Sequence, residues 1–476
     1  MISGLVEHVL DKKVTFGELE DLLWNSTLKV FQHVMVEVLE QIDEKLMVDR
    51  DKSRFKSKEK NPRSIQTLVG GVDFERRYYW DAEEHRWTYL LDEMLELEAE
   101  KTIGPGLLQL AVTWATKGPS YRDARDRLTD LYGAQVLSHE AIRKALLEVG
   151  AFCEREQQNK IVVEEGRREV EALFIEVDGF SSRFQKNKLL KRKNERHEVK
   201  MAVIHEGWAP RHNGEKTDYK LVNPTYVANL KSAEDFWEQI RGIIHAKYRN
   251  ADSIPVIING DGAEWIRGGA TAFAKGMYQY DRFHIAKELR EALGHDKEAL
   301  RKAKRALKDD DLGSLAIIVT EAMLVCTDEG QKEKLSNFND LLIKDQDYIV
   351  DYRIRLRKQE FEVPDKWRGL GAAESNVNKF KNRTAKRGRA WSPEGLVAIL
   401  TTLTHLFEGT LHQNISRTLG DAVEWLLDEV TVGVGHIKKR TQSTSTGVKQ
   451  GSLPAASHGT QGFSKLFNRI HFVDVS

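Results

Sequence analysis

Two short apolar runs, each leading into an Asp-Gly pair, constrain this chain more than any other feature. Ala172-Leu173-Phe174-Ile175 continues through Glu176-Val177 to Asp178-Gly179, and Ile254-Pro255-Val256-Ile257-Ile258 continues through Asn259-Gly260 to Asp261-Gly262. Both runs are rich in β-formers, bounded by Gly, and short enough to be buried strands. An acid at the carboxyl end of a central strand faces the crevice where α/β sheets hold ligands. A third acid, Glu374 in Ala373-Glu374-Ser375-Asn376, opens a polar, basic segment of helical character and would reach the same point from a helix. Converging carboxylates suit Mg²⁺, which prefers oxygen ligands and keeps room for water and phosphate oxygens. A pair of such ions activates an attacking oxygen and stabilises a leaving one. The pattern therefore points to a metal-dependent nuclease. Asp-Gly is also an ordinary turn dipeptide, and each pair alone reads as a turn. Two strand-terminal acids in one inferred sheet, with a third acid downstream, shift the balance. Strand alternation puts Glu176 on the same side as Asp178, as a supporting group or an alternative ligand.

Other chemistries find little footing. The 476 residues carry 73 Lys+Arg and 73 Asp+Glu, so nucleic-acid binding has to rest on local patches. Cys153 and Cys326 are the only cysteines, which supports neither a disulfide framework nor a Cys-rich zinc site. No apolar run approaches the roughly 18 residues of a membrane span, and the amino terminus lacks a signal-peptide pattern. A cytoplasmic, nucleoid-associated protein without membrane contact is expected. No P-loop or dinucleotide-loop spacing, Ser-His-Asp set or Cys nucleophile is discernible.

The chain divides into several regions. Residues 1–60 are a helical region in which Trp24, Leu28, Phe31, Met35, Val38, Ile42 and Leu46 form a seam at alternating three- and four-residue spacing. Packing within its own domain is favoured over dimerisation. The charged run from Asp49 to Arg63 closes with Asn61-Pro62 and reads as a loop, while residues 61–100 hold a candidate β-hairpin, Thr67 to Trp80 and Arg86 to Leu91. Residues 101–165 contain two short helices flanking Gly133, which resemble a helix-turn-helix offering His139, Arg143 and Lys144 to a DNA groove. A plain helical hairpin is an equally good reading. Over residues 166–290, three strands, an amphipathic helix at Ala233 to Tyr248 and a strand carrying the second acid follow the order of a ribonuclease-H-like core. Residues 291–364 read as a helical insertion, 365–432 as the second part of the core, and 433–476 as a flexible tail rich in Ser, Thr, Gly and Gln. The fold class is thus multidomain α/β with a mixed sheet.

Near the acids, Asp281 ends a further strand at Gly276 to Tyr280 and suits an N-cap, with His284 placed to orient a carboxylate or meet a phosphate. Basic residues cluster after the first acid, Lys191 and Arg192 among them, and after Glu374, where Lys379, Lys381, Arg383 and Arg387 lie. A charge run is usually a solvated face, yet these two sit where a phosphate backbone would need neutralising. Trp265 and Trp391 suit stacking on an unpaired base or, as the default, the core.

Together, Glu176-Val177-Asp178-Gly179, Val203 to Trp208, Gly260-Asp261-Gly262-Ala263-Glu264-Trp265-Ile266, Tyr280-Asp281-Arg282-Phe283-His284, Glu374-Ser375-Asn376-Val377, Asn382-Arg383 and Trp391-Ser392 resemble the bacterial insertion-sequence transposases of the Lre family. That family is similar in its core to the mutator-type transposases. The resemblance covers roughly residues 60 to 410. It implies an acidic triad of Asp178, Asp261 and Glu374 holding two Mg²⁺ or Mn²⁺ ions, with Asp281 and His284 matching the family's Cys/Asp-x-x-His motif. The implied activity is strand cleavage and strand transfer at element ends, with DNA as partner and a synaptic dimer or larger assembly. The competing readings are a non-catalytic DNA-binding derivative and a nuclease that cuts without joining.

Overall fold

A computed structural model describes residues 2–163, 166–186, 195–213 and 216–419. The tail expected at 433–476 lies outside the described residues. Helices α1 (Ile2–Lys12) and α2 (Phe16–Asp49) open the chain, followed by β1 (Phe55–Thr67), β2 (Gly70–Asp81) and β3 (Arg86–Thr88). Four helices come next: α3 (Leu90–Met94), α4 (Pro105–Lys117), α5 (Tyr121–Tyr132) and α6 (His139–Val163). The middle of the chain holds β4 (Leu173–Phe184), β5 (Arg196–His205), β6 (Trp208–Asn213), β7 (Lys216–Leu221), β8 (Thr225–Asn229), α7 (Ala233–Lys247), β9 (Val256–Gly260), α8 (Glu264–Arg267) and β10 (Gly276–Tyr280). Helices α9 (Arg282–Leu293), α10 (Lys297–Lys308), α11 (Leu312–Val325), α12 (Glu329–Ile349) and α13 (Tyr352–Lys358) precede α14 (Ala373–Thr384), β11 (Ala390–Trp391), α15 (Pro393–Glu408) and α16 (Leu411–Leu419).

The central sheet is mixed, in the order β10-β9-β4-β5-β8, with β11 paired to the far end of β4. Strands β10, β9 and β4 are parallel to one another, whereas β4, β5 and β8 are successively antiparallel. Side-chain alternation divides the sheet between two large cores, with a smaller cluster of Phe174, Ile257 and Met277 against Tyr352, Leu356 and Trp367. Leu173, Ile175 and Val177 of β4 join Ala202 and Ile204 of β5 in one core with α7 and residues of α9 to α12. Phe180, Val199, Met201 and Val203 face the other, built with α4, α5, α6, α14, α15 and α16. Helix layers on both faces thus bury the sheet, as a parallel half requires.

Local signals explain the element ends. Thr15 and Glu18 form a reciprocal capping box at the start of α2. Ser392 caps α15 with Pro393 in its first turn, and Gly409 ends it in a left-handed conformation (φ 80°).

Three expectations need correction. The charged run before Arg63 is a strand, β1, rather than a loop, and makes a three-stranded sheet with β2 in the middle. As an edge strand it tolerates exposed Lys and Glu and the Pro62 ring, which hid it from its own composition. Lys220 to Leu230, which reads in sequence as one strand of the core, is split: Lys220 and Leu221 end β7, which pairs with β6 in a hairpin, and Thr225–Asn229 form β8. The second helix of the helix-turn-helix candidate is not short, since α6 runs for 25 residues. Its buried face, with Ile142, Leu146 and Val149, belongs to the core that covers the central sheet. The seam on α2 is divided as well. Leu39, Ile42 and Leu46 pack against Ile65, Val72 and Phe74 of the small sheet, whereas Phe31, Met35 and Val38 are exposed.

Candidate metal centre

The register of the three parallel strands builds the site. Glu176 of β4 is level with Asn259 of β9, which is level with Gln279 of β10. With a side-chain period of two, the residues two positions on, Asp178, Asp261 and Asp281, form the next row on the same face. The Asp281 N–H donates to the Gly260 carbonyl (2.8 Å), which keeps β10 in register past its end.

Asp261 is delivered by a turn whose glycines are obligatory. Gly262 has φ +92°, and a Cβ there would meet the Tyr280 ring at 2.7 Å; a Cβ on Gly260 would meet Ile266 at 2.5 Å. The Ala263 N–H donates to Asp261 Oδ1 (3.1 Å), so the turn and ligand readings of this residue are both satisfied. Asp281 caps α9 through the Phe283 N–H and pairs through Oδ2 with His284 Nδ1 at 2.8 Å. One ligand atom each from Asp178, Asp261 and His284 lie within 4.8 Å of one another. Two carboxylates and an imidazole at that spacing fit a divalent cation, and a carboxylate on the far ring nitrogen is the usual partner of a ligating histidine.

Electrostatics are consistent with a concentration of negative charge. Burial pushes the Asp178 carboxyl above the usual carboxylate range, the Lys381 ammonium and the Gly179 N–H oppose the rise, and the Asp261 charge adds to it. The hydrogen bond that His284 donates to the Asp281 carboxylate raises its pKa above the ordinary imidazole value against the effect of burial, with the charges of Asp281, Asp178 and Asp261 helping. A group whose folded pKa is raised contributes stability that is complete below its unfolded pKa and is lost as pH rises through the folded one. Asp281→Asn is therefore expected to lower stability by about 2 kcal/mol at pH 6, with the deficit shrinking towards pH 9. Thermal melts of both proteins across that range check it; a deficit that grows with pH would contradict the pairing.

Glu374 is not among the three clustered ligands. It lies on the first turn of α14, where its Oε1 accepts from Asn378 Nδ2 (2.9 Å). Glu374, Asn378 and Lys381 follow the i, i+4, i+7 spacing of one helix face, and Lys381 Nζ lies 3.9 Å from Asp178 Oδ2. The face that carries Glu374 is therefore turned towards Asp178. Lys381, which the sequence offers only as one cation in a run, lies beside Asp178.

The residues expected to bind DNA are placed unequally. Lys191 and Arg192 lie outside the described residues. Arg143 is half-buried and bidentate to Glu140 on its own helix, while Lys144 is exposed. Lys379 turns its ammonium onto Asn376 Oδ1 (2.6 Å) and over the rings of Tyr226 and Phe407, and burial lowers its pKa. Arg387 is exposed. Arg383 is not a surface cation: it is 6% exposed and donates to the carbonyls of Ala115 and Pro119, so it is structural and almost closed off from solvent. Trp391 is likewise buried, its indole N–H donating to Thr384 O (2.8 Å). Trp265 is half-buried with Lys200 Nζ 5.5 Å from its ring centroid. No described helix is long and apolar enough to cross a membrane.

A mixed α/β sheet with an acidic, His-bearing centre at the ends of its parallel strands defines the class. The model of the uncharacterised protein family UPF0236 matches residues 9–418, and the chain belongs to that family. A UPF0236 protein from Streptococcus gallolyticus, described as lying in the vanSb 3′ region, is 26% identical over 407 residues, covering 84% of each chain. One from Caldanaerobacter subterraneus subsp. tengcongensis, whose name carries eleven locus designations, is 24% identical over 398 residues, 83% of this chain and 78% of its own. Among solved structures, the Drosophila P element transposase strand transfer complex aligns at 11% identity and a TM-score of 0.20, covering 69% of this chain and 86% of that one, a likeness too slight to argue from.

Proposed function

We propose that the protein is a DNA transposase with a ribonuclease-H-like catalytic core, acting through divalent metal at Asp178, Asp261 and Glu374. The observation that carries this reading is the row of acids across β4, β9 and β10, with His284 completing a donor set within 4.8 Å. The strand order, three antiparallel strands followed by two parallel ones on the other side of β4, supports it. So does the relative named at eleven loci of one genome, since an element that multiplies leaves such copies.

In this reading Asp178 and Asp261 would hold a divalent ion, Mg²⁺ or Mn²⁺, and Glu374 would contribute to holding a second. A bound divalent ion supplies charge stabilisation at the phosphodiester undergoing displacement. His284, held by Asp281, presents its remaining nitrogen to the cluster. The Lys381 ammonium beside Asp178 is placed to pair with a phosphate oxygen. The half-exposed start of α6, with Lys144 and Arg143, offers cations to a DNA backbone.

Incubation of the purified protein with labelled DNA carrying the sequences that flank its gene, with and without Mg²⁺, tests the proposal. Metal-dependent cutting followed by joined product is expected. Cutting without joining would replace the proposal with a nuclease, and a mobility shift without cutting would replace it with a DNA-binding derivative.

A further inference from the structure

Two residues before Asp178, on the same face of β4, the carboxylate of Glu176 is wholly buried. Its Oε2 accepts three backbone N–H groups from the start of α14: Gly371 at 2.8 Å, Ala372 at 2.5 Å and Ala373 at 3.1 Å. That helix has no side-chain cap of its own, since Ala372 occupies the cap position. A carboxylate from the sheet therefore satisfies the orphan amides and opposes the positive end of the helix. Asn259 Nδ2 lies within hydrogen-bonding distance of both Glu176 Oε2 (3.3 Å) and Asp281 Oδ1 (3.2 Å). The second oxygen, Oε1, has no hydrogen-bond partner among the described residues and lies 3.4 Å from the equally buried Nε2 of His205.

We infer that Glu176 is a positioning residue: it fixes the first turn of α14, and with it Glu374, against the strand that carries Asp178. The inference rests on the transposase reading for its catalytic consequence but not for its structural one. A buried carboxylate is expensive to desolvate, and an apolar residue at this point in β4 would serve the core alone. The carboxylate is kept where three amides of a helix meet it, one residue short of Glu374. Through Asn259 the same buried layer reaches Asp281, which orients His284. The two elements that bring ligands from outside the central strands, α9 and α14, are thus tied to one layer beneath the acids.

Hydrogen exchange on the wild-type chain and on Glu176→Gln tests this, with cleavage measured in parallel. In the wild type, the amides of Gly371 to Ala373 should be protected to the level of the interior of α14; free exchange there overturns the inference without any variant. In the near-isosteric Glu176→Gln, the charge is lost and an amide N–H₂ now competes at the same place. Exchange at residues 371–376 should accelerate by about tenfold or more while β9 and β10 stay protected. Turnover of DNA ends should fall by about a hundredfold with KM for DNA within about threefold, the mark of a misplaced group rather than a lost contact. Glu176→Asp, which keeps the charge on a shorter arm, should recover part of both losses. Unchanged exchange at 371–376 in Glu176→Gln would sink the positioning role whatever the activity. If the wild type cleaves no DNA, the functional reading fails while the exchange result still decides this one.

Discussion

Replacing Asp261 by asparagine should reduce metal-dependent DNA cleavage by about a thousandfold or more while leaving the fold intact. The asparagine side chain keeps the oxygen that accepts the Ala263 N–H, so the turn between β9 and α8 survives. What disappears is one of the two negative charges in the donor set, and hard divalent ions discriminate strongly against that loss. Titration of Mn²⁺ monitored calorimetrically, together with thermal melts in the presence and absence of Mn²⁺, separates binding from chemistry. The variant should melt close to the wild type without metal and lose most of the metal-induced rise. Wild-type cleavage by this variant would rule out Asp261 as a ligand.

Arg383→Ala should destabilise the protein by about 3–4 kcal/mol without weakening DNA binding by the folded fraction. Its guanidinium donates to Ala115 O at 3.0 and 3.2 Å and to Pro119 O at 3.1 Å, and sits 4.9 Å from the centroid of the Trp391 ring. Among the described residues no carboxylate forms an ion pair with it; burial pushes its pKa down to about 10, and the Asp123 charge only partly offsets the desolvation. The carbonyls it serves close the last turn of α4 and the loop to α5, where a cation also answers the negative end of the helix. Truncation leaves those acceptors unmet and opens a cavity beneath Trp391. Arg383→Met, which restores volume but not hydrogen bonds, should recover only part of the loss. Equal loss of DNA affinity and stability in Lys144→Ala would mark that exposed residue, unlike Arg383, as doing both.

The contrast shows what the sequence could and could not convey. Asp178 and Asp261 were legible because period-two burial and flanking glycines are local signals, and the parallel register then places them side by side. Asp281 and His284 were legible for the same reason, being three residues apart at a helix start. Glu176 was visible only as a second acid on the right face; its partners are amides 195 to 197 residues away, beyond any local pattern. Arg383 carried a signal that charge counting overrode. Asn376, Phe380, Arg383 and Thr384 recur at helical spacing on the buried side of α14, so periodicity separates Arg383 from Lys381, while Lys386 and Arg387 lie beyond the end of the helix. Strand β1 failed for the opposite reason, because an edge strand need not look apolar.

The crossing of α6 and α15 has a consequence for how the chain tolerates change. At Gly150 a single added carbon would lie 2.7 Å from both the Cα and the Cβ of Ala398, so the two helices touch there almost backbone to backbone. From that point α6 extends back, without interruption, to its first turn at His139. A continuous helix is a screw with a fixed pitch: adding one residue between those points would turn the leading end by about 100° and advance it by about 1.5 Å. Amino acids along this stretch can be exchanged freely on the solvent side, but their number cannot. Insertions and deletions among natural variants should therefore avoid residues 139–150 and accumulate in the loop before α6 instead.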